Sequence, residues 1–346
     1  MITQLEVRGL TVGFPAGSAL IARLRGRPAP IVTALDGINL KVERASSVGI
    51  VGESGCGKST LAKALVGLVP TTAGTILLDG NELGARRDRP TRRRIQMVFQ
   101  DPSSSLNPSR TVQQTLSELL RVHRIVPDDE IPRRCAEILE LVELPSTLLG
   151  AYPHRLSGGQ RQRVGIARAL TLEPDVLIAD EAVAALDVSV QASVLNLLSD
   201  LQAQLSLTLI VISHDLAVVR HISQRIIVMY LGRIVEDRPA EELFDDPRHP
   251  YTSALMAAAP KLGEKKRAGE MALAGEPPGL LEIPTACRFH PRCPIAQEIC
   301  RVDDPPLEGP QPHSLAACHF AWSTPRTATH RGAHQKGRGD DRIRTG

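Results

Sequence analysis

The residues from Gly52 to Thr60 read Gly-Glu-Ser-Gly-Cys-Gly-Lys-Ser-Thr, with the spacing G-x-x-x-x-G-K-[ST]. That spacing is suited to phosphate. The glycines let the backbone turn so that successive N–H groups point at one anion. A helix beginning at the lysine adds partial positive charge there. Lys58 supplies a mobile point charge for β- and γ-phosphates. The Ser59 hydroxyl suits Mg²⁺, a hard cation that prefers oxygen. Gly52, Glu53, Ser54, Gly55, Cys56, Gly57, Lys58, Ser59 and Thr60 are therefore the expected nucleotide-binding residues.

Other residues add to this chemistry. Gln100 ends an apolar run and can offer an amide oxygen to Mg²⁺ or to an attacking water. Ser157-Gly158-Gly159-Gln160 opens a second helix, with Ser157 as its N-cap and glycines that allow close backbone approach. Asp180 and Glu181 close the run Val176-Leu177-Ile178-Ala179. Asp180 is placed to hold Mg²⁺ through water, and Glu181 to orient or deprotonate the attacking water. Asp187 follows in a turn. His214 ends another apolar run, at the ligand edge expected of an open α/β sheet. There it suits a γ-phosphate contact.

The elements that must position these groups are legible as periodicities. Val48–Val51, Val176–Ala179 and Leu207–Ile212 are short apolar runs, which predict buried strands. Leu5–Val12 and Ile38–Glu43 alternate apolar with polar, which predicts half-exposed antiparallel strands. Phe14 lies at the end of the first of these. It suits stacking on an adenine ring or a place in the core, and the sequence leaves both open. Leu116, Leu119, Leu120, Cys135, Ile138, Leu139 and Val142 recur at helical spacing, which predicts a small helical subdomain with Cys135 in its core. Arg86 to Arg94 reads as a solvated basic face. Arg225–Glu236 reads as a hairpin turning at Gly232.

Composition bounds the alternatives. The chain has 346 residues, 42% hydrophobic and 23% charged, as in ordinary globular domains. Aromatics at 3% are too sparse for a base-stacking surface. The net charge is +3, yet Thr324–Gly346 carries six Arg or Lys and two Asp, so the rest is near −1. Basicity is a property of the tail and implies no nucleic-acid face. No uninterrupted apolar run exceeds six residues, so no membrane helix is expected. The N-terminus lacks a basic–apolar–small pattern, which points to the cytoplasm.

The phosphate loop, Gln100, Leu156–Gln160, Asp180-Glu181, Asp187 and His214, in that order, resemble an ATP-binding cassette (ABC) ATPase over roughly residues 5–240. Phe99–Pro108, Asp246–Thr252 and Cys287-Arg288-Phe289-His290-Pro291-Arg292-Cys293-Pro294 resemble the oligopeptide/dipeptide importer subgroup. Ser157–Arg168 with Asp187-Val188-Ser189 resembles the second of that importer's two ATPase subunits.

The resemblance implies an α/β P-loop cassette: a mixed central sheet, an antiparallel β subdomain and a helical subdomain at about 101–165. The cassette is expected over 1–260, with a small C-terminal cysteine module at 261–323 and a disordered tail at 324–346. It implies ATP hydrolysis with Mg²⁺ bound through Ser59, Gln100 and Asp180. Glu181, His214 and Gln100 would be the catalytic residues. It implies two cassettes around two ATP, with Ser157 to Gln160 facing the partner's ATP and Asp187 in the loop between the sites. The implied partners are a second ABC ATPase, a sibling rather than a copy, two integral membrane permeases and, indirectly, an extracytoplasmic peptide-binding protein. The implied place is the cytoplasmic face of the membrane. An importer of nickel or glutathione, or a non-transport cassette, is the alternative. The nucleic-acid cassettes carry long coiled coils, C-x2-C zinc pairs or basic patches, and this sequence shows none. Ala182, Ala184 and Glu43–Ser46 depart from the family's usual Pro, Ser and Gly-Glu.

Cys287, Cys293, Cys300 and Cys318 are spaced C-x5-C-x6-C-x17-C. Zinc ribbons prefer C-x2-C pairs. Four thiolates at looser spacing suit a [4Fe–4S] cluster, which some peptide-importer ATPases are similar in carrying. Zinc with help from His290 or His319, or no metal at all, stays open. Cys56 reads as set by the loop's backbone rather than by reactivity.

Overall fold

The structure is a computed structural model. It describes residues 2–16, 31–84, 86–101, 106–184, 186–258, 275, 278–279 and 282–323. Within the Phe99–Pro108 motif, residues 102–105 lie outside these residues, as does the 324–346 tail.

The central sheet has the strand order β11 (Glu308–Gln311), β12 (Ser314–Ala316), β10 (Arg233–Pro239), β9 (Arg225–Tyr230), β3 (Ser47–Val51), β8 (Thr208–Ile212), β7 (Val176–Asp180), β6 (Ile95–Val98). Its middle is β3 (Ser47–Val51), flanked in parallel by β8 (Thr208–Ile212) and β9 (Arg225–Tyr230). Next to β8 run β7 (Val176–Asp180) and β6 (Ile95–Val98), also parallel. β3, β7, β8 and β9 are buried at every residue, as unbroken apolar runs require when both faces are covered. Because these strands point one way, their carboxyl ends share one edge. That places the phosphate loop, Gln100, Asp180-Glu181 and His214 along the same edge.

A second sheet is antiparallel, with the order β2-β1-β4-β5. β1 (Thr3–Pro15) pairs β2 (Ile31–Glu43) on one side and β4 (Ala73–Leu78) on the other; β5 (Asn81–Glu82) pairs β4. Leu5, Val7, Leu10 and Val12 of β1 face inward onto a core shared with Val48, Ile50, Leu61 and Ile210. The alternation read in the sequence is this one buried face. A separate core holds the helices Val112–His123, Ile131–Leu141 and Gly158–Leu170, with Cys135 fully buried. The last of these helices runs unbroken to Leu170.

Residues 308–316 join the central sheet. β10 (Arg233–Pro239) folds back on β9 around Gly232. The short strand β12 (Ser314–Ala316) pairs β10, and β11 (Glu308–Gln311) pairs β12. Phe289 is buried in one cluster with Val51, Val228, Tyr230 and Tyr251. This hairpin was invisible as a strand pair: Glu308–Gln311 is exposed at every residue and has no apolar period.

The stretch 86–94 corrects the reading of a purely solvated face. Arg87 is buried and donates to the carbonyls of Ala64 (3.0 Å) and Leu65, at the end of the helix Lys58–Leu65. Burial lowers its pKa to about 10. Arg94 pairs with Asp79 and Asp175.

Candidate functional site

The loop after β3 is shaped by its glycines. Gly57 has φ 107°, and a Cβ there would stand 2.6 Å from the carbonyl oxygen of Ala34. Gly52 has φ 154°, and a Cβ there would meet the carbonyl oxygen of Met229 at 2.2 Å. Only glycine fits a loop pressed this closely between two strands. The helix Lys58–Leu65 follows at once, so its free N–H groups open into the loop.

Lys58 is 4% exposed. Its Nζ donates to the carbonyls of Gly52 at 2.7 Å and Glu53 at 2.9 Å, which holds the ammonium inside the curl of the loop. Cys56 is buried with its Sγ 3.9 Å from that ammonium, and burial pushes its thiol pKa up.

The Ser59 hydroxyl donates to Asp180 Oδ1 at 3.0 Å. Asp180 is 5% exposed, and burial raises its pKa above the ordinary carboxylate range. A buried carboxylate beside a hydroxyl is an oxygen donor set suited to a hard divalent cation. Glu181, next along the chain, sits in the left-handed region at φ 46°. Its N–H donates to the carbonyl of Ile212 at 2.9 Å, which ties the end of β7 to β8. Its Oε1 lies 3.2 Å from His214 Nδ1. The structure thus brings Lys58, Ser59, Asp180, Glu181 and His214 into one connected group. Gln100 is exposed two residues beyond β6, one strand further along the same edge.

Ser157 to Gln160 stands elsewhere, at the start of the helix Gly158–Leu170. Ser157 Oγ accepts from the Gln160 N–H at 3.2 Å, and Gln160 Oε1 accepts from the Ser157 N–H at 2.9 Å. This reciprocal cap shows a second use for Gln160 that the motif alone did not reveal. A Cβ on Gly159 would meet Val190 at 2.6 Å, so the glycine lets the helix Val188–Leu205 approach. Asp187 caps that helix by accepting from the Val190 N–H at 3.0 Å; this bond and one from Ser189 hold its carboxyl pKa low. Ala182 is buried and Ala184 exposed in the turn between. Phe14 is 40% exposed at the end of β1, on the open side rather than in the core.

The late cysteines share one module. Cys287 feels the charges of Cys293, Cys300 and Cys318, and burial pushes its thiol up to about 11. Among the described residues, no group of three or more His, Cys, Asp or Glu is arranged to hold a metal ion. Neither the iron–sulfur cluster nor zinc gains support from this arrangement.

A residue that the sequence reading missed is Arg292. Its guanidinium forks onto the Glu53 carboxylate at 2.8 and 3.0 Å. Nothing in the local spacing signals it, because the partners are 239 positions apart.

Comparison with known proteins gives two family matches. Residues 35–184 match the model described as ABC transporter, and residues 235–300 match oligopeptide/dipeptide transporter, C-terminal region. The chain is 46% identical over 330 residues to a probable peptide ABC transporter ATP-binding protein, y4tS, of Sinorhizobium fredii, covering 94% of this chain and 92% of that one. It is 44% identical to the oligopeptide transport ATP-binding protein AppF of Bacillus subtilis, covering 92% and 97%. Among solved structures, cbiO1 of Clostridium perfringens, part of an ABC transporter complex, superposes with a TM-score of 0.61 at 32% identity, over 70% of this chain and 91% of that one. A dimeric ATP-binding cassette in a post-hydrolysis state with ADP and Pi gives 0.59 at 29%, over 68% and 98%.

Proposed function

The chain belongs to the ATP-binding subunits of ABC transporters, and from that membership we propose that it hydrolyses ATP to power import of oligopeptides or dipeptides. The observation that carries the substrate class is the match of residues 235–300 to the oligopeptide/dipeptide transporter C-terminal region.

In this reading Gly52 to Thr60 cradle the triphosphate, with Lys58 at the β- and γ-phosphates. Phe14, exposed at a strand end, stacks on the adenine. Ser59, Asp180 and Gln100 would hold Mg²⁺, which would supply positive charge to offset that of the phosphate oxygens. Glu181 orients and deprotonates the attacking water. His214, 3.2 Å from Glu181, fixes that carboxylate and reaches the γ-phosphate. Ser157, Gly158, Gly159 and Gln160 meet the ATP of a second cassette, and Asp187 sits in the loop that passes between the two sites. The second cassette is a sibling subunit. Two membrane permeases dock near Gln100 and the helical subdomain, with a peptide-binding protein delivering cargo from outside.

No helix among the described residues is long and apolar enough to cross a membrane. The subunit works as a peripheral protein on the cytoplasmic face. The cassette spans 1–260 and the peptide-importer extension 261–323. The cysteine module serves there as a structural cap, and metal analysis of anaerobically purified chain tests this against a cluster at Cys287, Cys293, Cys300 and Cys318.

The test is uptake of a labelled oligopeptide into proteoliposomes containing the assembled transporter and its binding protein. Uptake should require ATP and vanish with Lys58→Ala. Stimulation of hydrolysis by nickel or glutathione in place of peptide would overturn the substrate class.

A further inference from the structure

A carboxylate beside a triphosphate site is an electrostatic cost. Glu53 is such a carboxylate: it lies inside the phosphate loop, five residues before Lys58. An unpaired negative charge there repels the ligand and raises the effort of holding successive N–H groups toward it. The structure shows how this cost is met, and the answer comes from the far end of the chain.

Arg292 lies between Cys287 and Cys300, and its side chain is 6% exposed. Its two terminal nitrogens bind the two oxygens of Glu53 at 2.8 and 3.0 Å, the forked geometry in which guanidinium and carboxylate fit best. The same guanidinium donates to the carbonyl of Gly275 at 3.1 Å and lies over the Tyr230 ring. A second arm reaches the same residue: the Glu53 N–H donates to the Tyr251 hydroxyl at 2.8 Å. Tyr251 is itself fixed. It is fully buried against Tyr230 and Phe289, and the turn before it is pinned by Glu236, which accepts the N–H groups of Arg248 (2.7 Å) and His249 (2.9 Å). The side chain of one phosphate-loop residue is therefore held by Arg292 of the C-terminal extension, and its backbone by Tyr251 of the helix Pro250–Ala258 just before it.

We propose that Arg292 and Tyr251 are positioning residues of the nucleotide site: the extension holds the phosphate loop through Glu53 and cancels its charge. The extension is then a working part of the ATP site. Arg292 does this without touching nucleotide; it acts through Glu53. This rests on the reading of Gly52–Thr60 as the nucleotide loop.

The experiment measures ATP affinity of the full chain by calorimetry for the native protein, Lys58→Ala, Arg292→Gln, and Arg292→Gln combined with Glu53→Gln. Arg292→Met serves as a second variant should Arg292→Gln not fold. Removing the guanidinium leaves a half-buried carboxylate unpaired, so ATP binding should weaken by about tenfold or more. Adding Glu53→Gln removes that charge and should return the affinity to within about threefold of native. A role confined to packing predicts no such rescue. Native affinity in the Arg292 variants, or weakened affinity that Glu53→Gln leaves unrestored, would overturn the proposal. Native chain without Lys58-dependent ATP binding would overturn the nucleotide reading and the proposal together, whereas native binding indifferent to Arg292 would overturn the proposal alone.

Discussion

The phosphate-loop edge and the C-terminal extension meet at Glu53, yet they are built by different means. The loop takes its curl from groups within a few residues of it: positive-φ glycines, a helix start, and the Gly52 and Glu53 carbonyls on Lys58. The extension is held by groups from across the chain. Its hairpin adds to β10, its Phe289 enters a core with Val51, and Arg292 grips Glu53. Local constraint fixes a motif's spacing. Remote constraint leaves the spacing free and fixes only the partners.

The largest stability effect that bears on this contrast is at Phe289, which is 2% exposed and packs 5.4 Å from the rings of Tyr230 and Tyr251. Phe289→Ala should cost about 3–5 kcal/mol and lower the midpoint of a single cooperative melt. Two separate transitions, with the cassette's midpoint unmoved, would show that the extension folds as its own unit and would break the picture of one joined core.

A smaller effect sharpens the loop side. Burial raises the Asp180 pKa, so the folded state disfavours its ionised form. That contribution to stability is present below the carboxylate's unfolded pKa and is lost as pH rises through the folded one. Asp180→Asn should therefore melt above the native chain at pH 7 without nucleotide, with the gap closing toward pH 4. Hydrolysis should be lost at every pH. A variant less stable than native at pH 7 would mean that Asp180 is held by its bond to Ser59 more strongly than burial penalises it.

The contrast also explains what the sequence disclosed. Buried strands β3, β7 and β8 were legible because apolar runs fill both faces of a parallel sheet. The order of Lys58, Asp180-Glu181 and His214 was legible because each ends or follows such a run. Arg87 was misread because a buried arginine and a solvated one look alike within a run of arginines; its partners are carbonyls, which no sequence pattern marks. The Gln160 half of the reciprocal cap was hidden under its role in a motif. Ala45 takes φ 55° in a turn where glycine fits best, so the unusual Glu43–Ser46 stretch keeps the turn and bears its strain. The cysteines show the opposite limit: their spacing left a cluster, zinc or no metal open, and among the described residues no group arranged to hold a metal chooses between them.

The central claim is that Glu181 does the chemistry at the edge where Lys58 and Ser59 hold the nucleotide. The direct test is Glu181→Gln, with Mg²⁺–ATP affinity and single-turnover hydrolysis measured on the same preparation in the assembled transporter. The account predicts affinity close to native and hydrolysis slowed by about 10²–10⁴-fold, leaving the two cassettes closed on ATP. Hydrolysis at the native rate in that variant would contradict it.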